Sequence, residues 1–401
     1  MITDKMTAAF QKSSGGLFAE VEKADVGDSY RQLQKQGVRL LGWADPFMPD
    51  EAMPAHVRSA LLKAISSPAA THYTAPVGNG ELKIALAEKL LRVNHLKVDP
   101  FRNILITPGS DSGLYYAILP FINPGDEVLI PSPSYPNNFT DIEMMSGKVV
   151  PIELKAENGY QLDIREFKKK LSPRTKMVLL THPNNPTTTI YNKQSLSDLR
   201  DFVVENDLVL VVDQAFEDFC YARELITPAS LPGLFERTVS VFSFSKGMGL
   251  SGLRIAYLVA PDTIMDKLYA NAVAVIGATS TSAQLAAIAA LKDPSFMEVF
   301  ASAFAYRAKK AYEIFSTVPK VKLLQPESGF LCWLDVSQLA DSSEMVSYLL
   351  KEAKVSVNDG KNYGLGGEGH LRIVLGVYRD DEKLIGILED IKKALCAYPS
   401  K

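Results

Sequence analysis

The sequence predicts an α/β protein, with a large domain on a mainly parallel sheet flanked by helices and a smaller α+β domain. Three observations carry this. Short β-rich runs alternate with helical patterns over most of the chain, four of those runs are nearly all apolar, and from about residue 295 the strands become fewer and more separated. Strand and helix in alternation imply crossover connections. Runs without polar alternation are those of strands buried on both faces of a parallel sheet.

The elements follow in chain order. Glu81 to Arg92 puts Leu82, Ala85, Leu86 and Leu90 on one face of a helix. Val128-Leu129-Ile130, Lys176 to Thr181, Leu208 to Val212, Val239 to Phe244 and Arg254 to Val259 read as strands. Lys168-Lys169-Lys170, beside Asp163 and Glu166, is a solvated helix face. Ser195 to Asn206 presents Leu196, Leu199, Phe202 and Val203 behind a Ser-x-x-Asp cap. Phe296 to Phe315 is a long helix, followed by strands at Gly329 to Leu334 and His370 to Leu375 with a helix between and another at the end. The expected division is a large domain over 46–292 and a small domain formed by 1–45 together with 293–401.

Bulk properties exclude several classes of function. The 401 residues are 47% hydrophobic and 22% charged, ordinary for a globular protein and ample for two domains. With 43 basic and 46 acidic residues the net charge is −3, so no field attracts nucleic acid or an anionic membrane. Cys220, Cys332 and Cys396 lie far apart without metal or CxxC spacing, and buried thiols in a reduced, cytoplasmic setting are expected. The apolar stretch 272–291 is broken by Gly277 and by Thr279 to Ser282 and is no membrane span. The polar opening Met1-Ile2-Thr3-Asp4-Lys5 carries no expected secretory signal.

In open α/β sheets, ligands bind beyond the carboxyl ends of the strands. The run ending at Thr181 leads into His182-Pro183-Asn184-Asn185-Pro186, Leu208 to Val212 leads into Asp213, and Val239 to Phe244 leads into Ser245-Lys246. Singly, such an Asp is a cap and such a Lys is solvated. On neighbouring strand ends, the three mark a site. Thr107 to Gly113 is a small-residue turn into the helical run Leu114 to Ile118, which is either a plain capped helix or an anion site at a helix N-terminus. Gly247 to Gly252 spells GxGxxG, but a strand pattern, Leu253 to Leu258, follows where a dinucleotide site needs a helix. A nicotinamide enzyme is rejected on that ground.

The segment Ser-x-Ser-Lys-x-x-Gly-Leu-x-Gly-x-Arg at Ser243 to Arg254, with Asn184-Asn185-Pro186-Thr187 and Asp213-Gln214-Ala215-Phe216, resembles the class I/II aminotransferases of the fold-type I pyridoxal-phosphate superfamily. The resemblance runs from about Gly42 to the C-terminus. It implies a seven-stranded sheet, a homodimer with active sites at the interface, and pyridoxal 5′-phosphate as cofactor. It implies exchange of an amino group between an L-amino acid and a 2-oxo acid by a ping-pong mechanism. Lys246 resembles the Schiff-base lysine that also carries the proton, and Asp213 the carboxylate on the pyridine nitrogen. Asn185 matches the hydrogen-bond donor to the cofactor 3′-oxygen, and Tyr135 the aromatic stacked on the ring. The phosphate falls to the backbone amides of Ser110 and Asp111, the hydroxyls of Ser243 and Ser245, and Arg254. Tyr73 matches a tyrosine that reaches the phosphate from the partner subunit. Arg372 resembles the arginine that binds the substrate α-carboxylate, with Asn185 and Trp43 beside it.

Three positions depart from the family pattern. Phe216 stands where a tyrosine usually donates to the 3′-oxygen, Thr188 replaces a glycine, and Ala44 lies where the early loop normally has one. Losing the tyrosine hydroxyl removes one hydrogen bond to the cofactor and keeps open a β-lyase, decarboxylase or oxidase of the same fold. A cofactor-binding regulator would need a DNA-binding domain, and the 40-odd residues before Gly42 are too few and not basic.

Overall fold

The protein is described by a computed structural model over residues 5–7, 10 and 33–399. The remaining residues of the expected 1–45 segment lie outside the described ones. The strands, in chain order, are β1 (Arg39–Leu40), β2 (Ile104–Thr107), β3 (Glu127–Ser132), β4 (Lys148–Glu153), β5 (Thr175–Thr181), β6 (Val209–Asp213), β7 (Thr238–Ser243) and β8 (Ala256–Val259). The last seven form one sheet in the order β2-β8-β7-β6-β5-β3-β4. Neighbours from β7 through β6, β5 and β3 to β4 pair in parallel, while β8 runs antiparallel to both β7 and β2. The reason lies in the connection. Residues 244–255 contain no α-helix, and a parallel return needs a longer crossover.

Eleven α-helices are named here: α1 (Ala55–Ile65), α2 (Gly80–Val93), α3 (Ser110–Ile118), α4 (Asn137–Met144), α5 (Ile164–Lys170), α6 (Lys193–Glu205), α7 (Asp262–Val275), α8 (Thr281–Lys292), α9 (Phe296–Phe315), α10 (Ser342–Glu352) and α11 (Asp381–Ala397). The central strands are buried on both faces, as their composition requires. Val178 and Leu180 of β5 pack with Leu199 and Phe202 of α6, while Met177 and Leu179 face Leu114 of α3 and Leu268 of α7. Helices α2 and α8 cover the β2 end through Leu86, Leu90, Ala286 and Ala287.

Beyond residue 315 the chain builds β9 (Lys322–Leu323), β10 (Leu331–Asp335), β11 (Val355–Ser356), β12 (Asn358–Asp359) and β13 (His370–Val374). Four of these make an antiparallel sheet in the order β12-β13-β10-β9, packed on α9 and α11 through Phe304, Leu331, Ile373 and Leu388. The short β1 pairs in parallel with β11, so Arg39 and Leu40 are tied to the C-terminal part of the chain.

Several sequence expectations are corrected. The helix expected to begin at Ser195 starts at Lys193 behind Asn192, whose side chain accepts from the Ser195 amide at 2.9 Å. Ser195 instead donates its hydroxyl to Gln161 Oε1 at 3.2 Å. The strand expected from Arg254 begins at Ala256, because Arg254 sits in the left-handed region at φ 49°. In the large sheet two strands were not anticipated, the four-residue β2 and the edge strand β4, whose Lys148 and Glu153 are exposed and whose Val149-Val150 run is interrupted by Pro151; the short β1, β9, β11 and β12 were not anticipated either. Cys332 is buried, but Cys396 is exposed on the last helix. Among the described residues no helix is long and apolar enough to cross a membrane.

Candidate active site

A cavity of about 490 Å³ opens at the carboxyl ends of β5, β6 and β7. Asp213 is the last residue of β6 and is 7% exposed. One of its oxygens accepts from the Ala215 amide at 3.0 Å, which directs the carboxylate across the strand end. Burial pushes its pKa up to about 6, with Asp111 adding to the rise and the Ala215 amide and Lys246 opposing it. The segment after it is fixed from behind: Glu217 forms a buried ion pair with Lys89 of α2, which also donates to Asn94 at 2.9 Å.

Lys246 follows β7 and points into the cavity, its Nζ donating to the Ala44 carbonyl at 2.5 Å and lying 6.0 Å from the centre of the Phe216 ring. Burial lowers its pKa to about 8. Asp45 and Asp111 work against that drop, while Arg372 and Arg254 add to it. Glycine is required next, because a side chain at Gly247 would run into Asp218. Phe216 lines the cavity edge-on against Phe330, an apolar wall where a tyrosine hydroxyl was expected.

An anion cradle occupies the other end. Helix α3, nine residues long, begins at Ser110 behind Gly109 at φ 92°. A Cβ at Gly109 would lie 2.5 Å from Nη2 of Arg254, so the close approach needs glycine. Arg254 donates to the Ser251 carbonyl at 3.0 Å and to Asp111 at 3.2 Å, so a carboxylate already occupies the guanidinium. The Ser245 hydroxyl is buried without a partner beside it. Ser243, expected to hold the phosphate, is not among the residues that line the cavity; its oxygen accepts from the Ser245 amide at 3.1 Å, which shapes the loop. A helix end, a guanidinium and an orphaned hydroxyl together fit a phosphate, the group the resemblance requires.

Tyr135 lines the cavity and donates to Asp111 at 3.0 Å. On the opposite side Arg372 of β13 is 3% exposed, donating to Asn185 Oδ1 at 3.2 Å, to the Gly42 carbonyl at 2.9 Å and to Asn358 Oδ1 at 2.7 Å. Three acceptors on three separate segments hold its planar fork at the cavity, beside Trp43. The cavity therefore brings together Trp43, Ser110, Asp111, Tyr135, Asn185, Asp213, Phe216, Ser245, Lys246, Arg254 and Arg372. Tyr73 is outside it and 98% exposed. Asp45, Ser251 and Asn358 also line it and were not foreseen; Ser251 sits at an unspecified position of the Ser243–Arg254 segment, whereas Asp45 and Asn358 belong to no motif and come from distant parts of the chain.

The residue pattern described as aminotransferase class I and II matches residues 41–389. A probable aspartate/prephenate aminotransferase of Aquifex aeolicus is 31% identical, covering 91% of this chain and 93% of its own. The aromatic-amino-acid aminotransferase 2 of Thermococcus litoralis is 30% identical over 90% of this chain and 92% of its own. The structure of aspartate aminotransferase from Thermus thermophilus with maleate superposes with a TM-score of 0.88 at 28% identity, covering 97% of this chain and 99% of that one. These relatives favour amino-group transfer over the β-lyase, decarboxylase and oxidase alternatives. The chain belongs to the class I and II aminotransferases, and it is an enzyme of amino-group transfer.

Proposed function

We propose that the cavity binds pyridoxal 5′-phosphate and moves an amino group between an L-amino acid and a 2-oxo acid in two successive half-reactions. The observation that carries this is the placement of Lys246, Asp213, Asn185, Arg254 and Arg372 around one cavity. Bound pyridoxal phosphate supplies the electron sink that acidifies the substrate α-carbon and the carbonyl that stores the amino group.

The chain's own residues do the rest. Arg254, the Ser245 hydroxyl and the amides of Ser110 and Asp111 hold the phosphate at the start of α3, while Ser243, outside the cavity lining, shapes the loop that carries Ser245. Asp213, ionised above about pH 6, meets the ring nitrogen. Asn185 gives its Oδ1 to Arg372, which leaves its amide nitrogen to donate to the ring oxygen. Tyr135, fixed by Asp111, covers the ring. Arg372 takes the α-carboxylate as a two-pronged fork, and Trp43 closes that side. Lys246, with its pKa near 8, holds a usable fraction of neutral amine, so Nζ would take the proton from the substrate α-carbon and carry it to the cofactor's C4′.

The same reading assigns residues 46–292 to a large domain and 1–45 with 293–401 to a small one. It makes the active form a cytoplasmic homodimer in which Tyr73 serves the partner's phosphate; the 98% exposure of Tyr73 supports this. The test is spectroscopic. Purified protein should carry the visible absorption of bound cofactor, lose it with an amino donor and regain it with a 2-oxo acid. Normal turnover by Lys246→Ala would sink the proposal.

A further inference from the structure

Gly42, Trp43, Ala44 and Asp45 line the cavity as one unbroken strap. The chain on either side of it is held by the C-terminal part of the protein. Before the strap, the Leu41 amide donates to the Ser356 carbonyl at 2.8 Å. After it, the Phe47 amide donates to the Gly376 carbonyl at 2.6 Å, and the Met48 carbonyl accepts from the Tyr378 amide at 3.0 Å. The strap thus belongs with the residues that carry Arg372, whose Nη2 donates to the Gly42 carbonyl at 2.9 Å.

Two hydrogen bonds cross to the strap from the loop that follows β7. Lys246 Nζ donates to the Ala44 carbonyl at 2.5 Å, and the Ser251 hydroxyl donates to Asp45 Oδ1 at 2.5 Å. The proposed function redirects the first, because Nζ is given to the cofactor and then to the substrate proton. Arg372 likewise turns to the substrate α-carboxylate. The Asp45–Ser251 bond engages neither cofactor nor substrate, so it persists while the others are redirected. A hydroxyl this close to a carboxylate makes a charge-assisted bond, stronger than a neutral one. Ser251 is itself fixed, since its carbonyl accepts from Arg254 at 3.0 Å. The strap is thereby registered against the phosphate end through Ser251 and against Arg372 through Gly42.

We propose that Asp45 and Ser251 are positioning residues, whose hydrogen bond holds the Gly42–Asp45 strap against Lys246 while Nζ is engaged with cofactor and proton. This rests on the aminotransferase reading. A strap without that bond is free to lift, and Trp43 and the substrate lose their alignment with Nζ. The rate of amino-group transfer then falls while the cofactor stays anchored at its phosphate and at Lys246.

The test is a double-substitution cycle on the cofactor-loaded protein, read as the single-turnover rate at which an amino donor removes the visible absorption. Ser251→Ala should slow that step at least tenfold, but less than twofold in an Asp45→Ala background, because the shared bond is lost only once. The charge that Asp45 brings to Lys246 cancels, being absent from both members of the second comparison. Ser251→Thr keeps the hydroxyl and should retain at least a third of the unaltered rate. Hydrogen exchange followed by mass spectrometry gives a measure apart from activity. In the resting loaded protein, amides of residues 42–48 should exchange at least threefold faster in Ser251→Ala, with cofactor affinity within threefold of the unaltered protein. A full rate in Ser251→Ala overturns the inference, as does an equal cost in both backgrounds, a Ser251→Thr variant as slow as Ser251→Ala, or unchanged exchange. Cofactor affinity lost in step with the rate overturns it too, by making Ser251 a holder of the cofactor. The two readings fail separately. Absence of transamination with every donor defeats the aminotransferase reading, whereas an active enzyme indifferent to Ser251→Ala defeats this one.

Discussion

Replacing Lys246 by Met in the cofactor-free protein should raise its stability near neutral pH, because the folded chain buries a charge there. The drop in pKa from 10.5 to about 8 corresponds to about 3 kcal/mol against folding while the amine is protonated in both states. Met keeps the volume and removes the charge. It also removes the donor to the Ala44 carbonyl, which offsets about 1 kcal/mol. A net gain of about 2 kcal/mol, at roughly 2 cal/mol/K of unfolding entropy per residue, moves the midpoint of a chain this long by about 2 °C.

The pH dependence separates this cause from better packing. A lysine with a lowered folded pKa releases its proton sooner in the folded state, so the cost is full below about pH 8 and disappears as pH rises from 8 to 10.5. Thermal unfolding of cofactor-free protein and variant at pH 7 and pH 10.5 measures both points. A gain at pH 7 that vanishes at pH 10.5 is expected. No gain at pH 7, or one that persists unchanged at pH 10.5, refutes the reasoning.

Two further substitutions probe the two ends of the cavity. Gly109→Ala places a methyl 2.5 Å from the Arg254 guanidinium at a positive φ, and equilibrium dialysis should show cofactor affinity at least tenfold weaker. Arg372→Lys exchanges a held fork for a point charge. It should lower kcat/KM for every donor by about a hundredfold, mainly through KM; an unchanged KM would remove Arg372 from carboxylate binding.

Much of the site was legible because its residues sit at strand ends, and strand ends are set by local composition. Asp213 closes a run of buried valines and leucines, and Lys246 follows another, so an apolar stretch and its first polar residue locate both. The bounds of α9, Phe296–Phe315, were readable for the same reason: its apolar spacing continues unbroken over twenty residues. The edge strand β4 and the cap of α6 were less legible. One is a half-exposed edge strand interrupted by Pro151, and in the other Ser195 stands within one turn of the true cap, Asn192.

The sequence by itself determined the α/β class, the strand ends carrying Asn185, Asp213 and Lys246, and the glycine turn before α3, all through local periodicity and motif. Only the tertiary structure decided which acceptors hold Arg372. Gly42 is 330 residues away, Asn185 is 187 away, and Asn358 faces it across the β12–β13 pairing. It alone brought Asp45 to the cavity, 206 residues from its partner Ser251. The physical reason is that such contacts depend on how separate elements pack, and no stretch of a few residues encodes the partner at the far end of the chain.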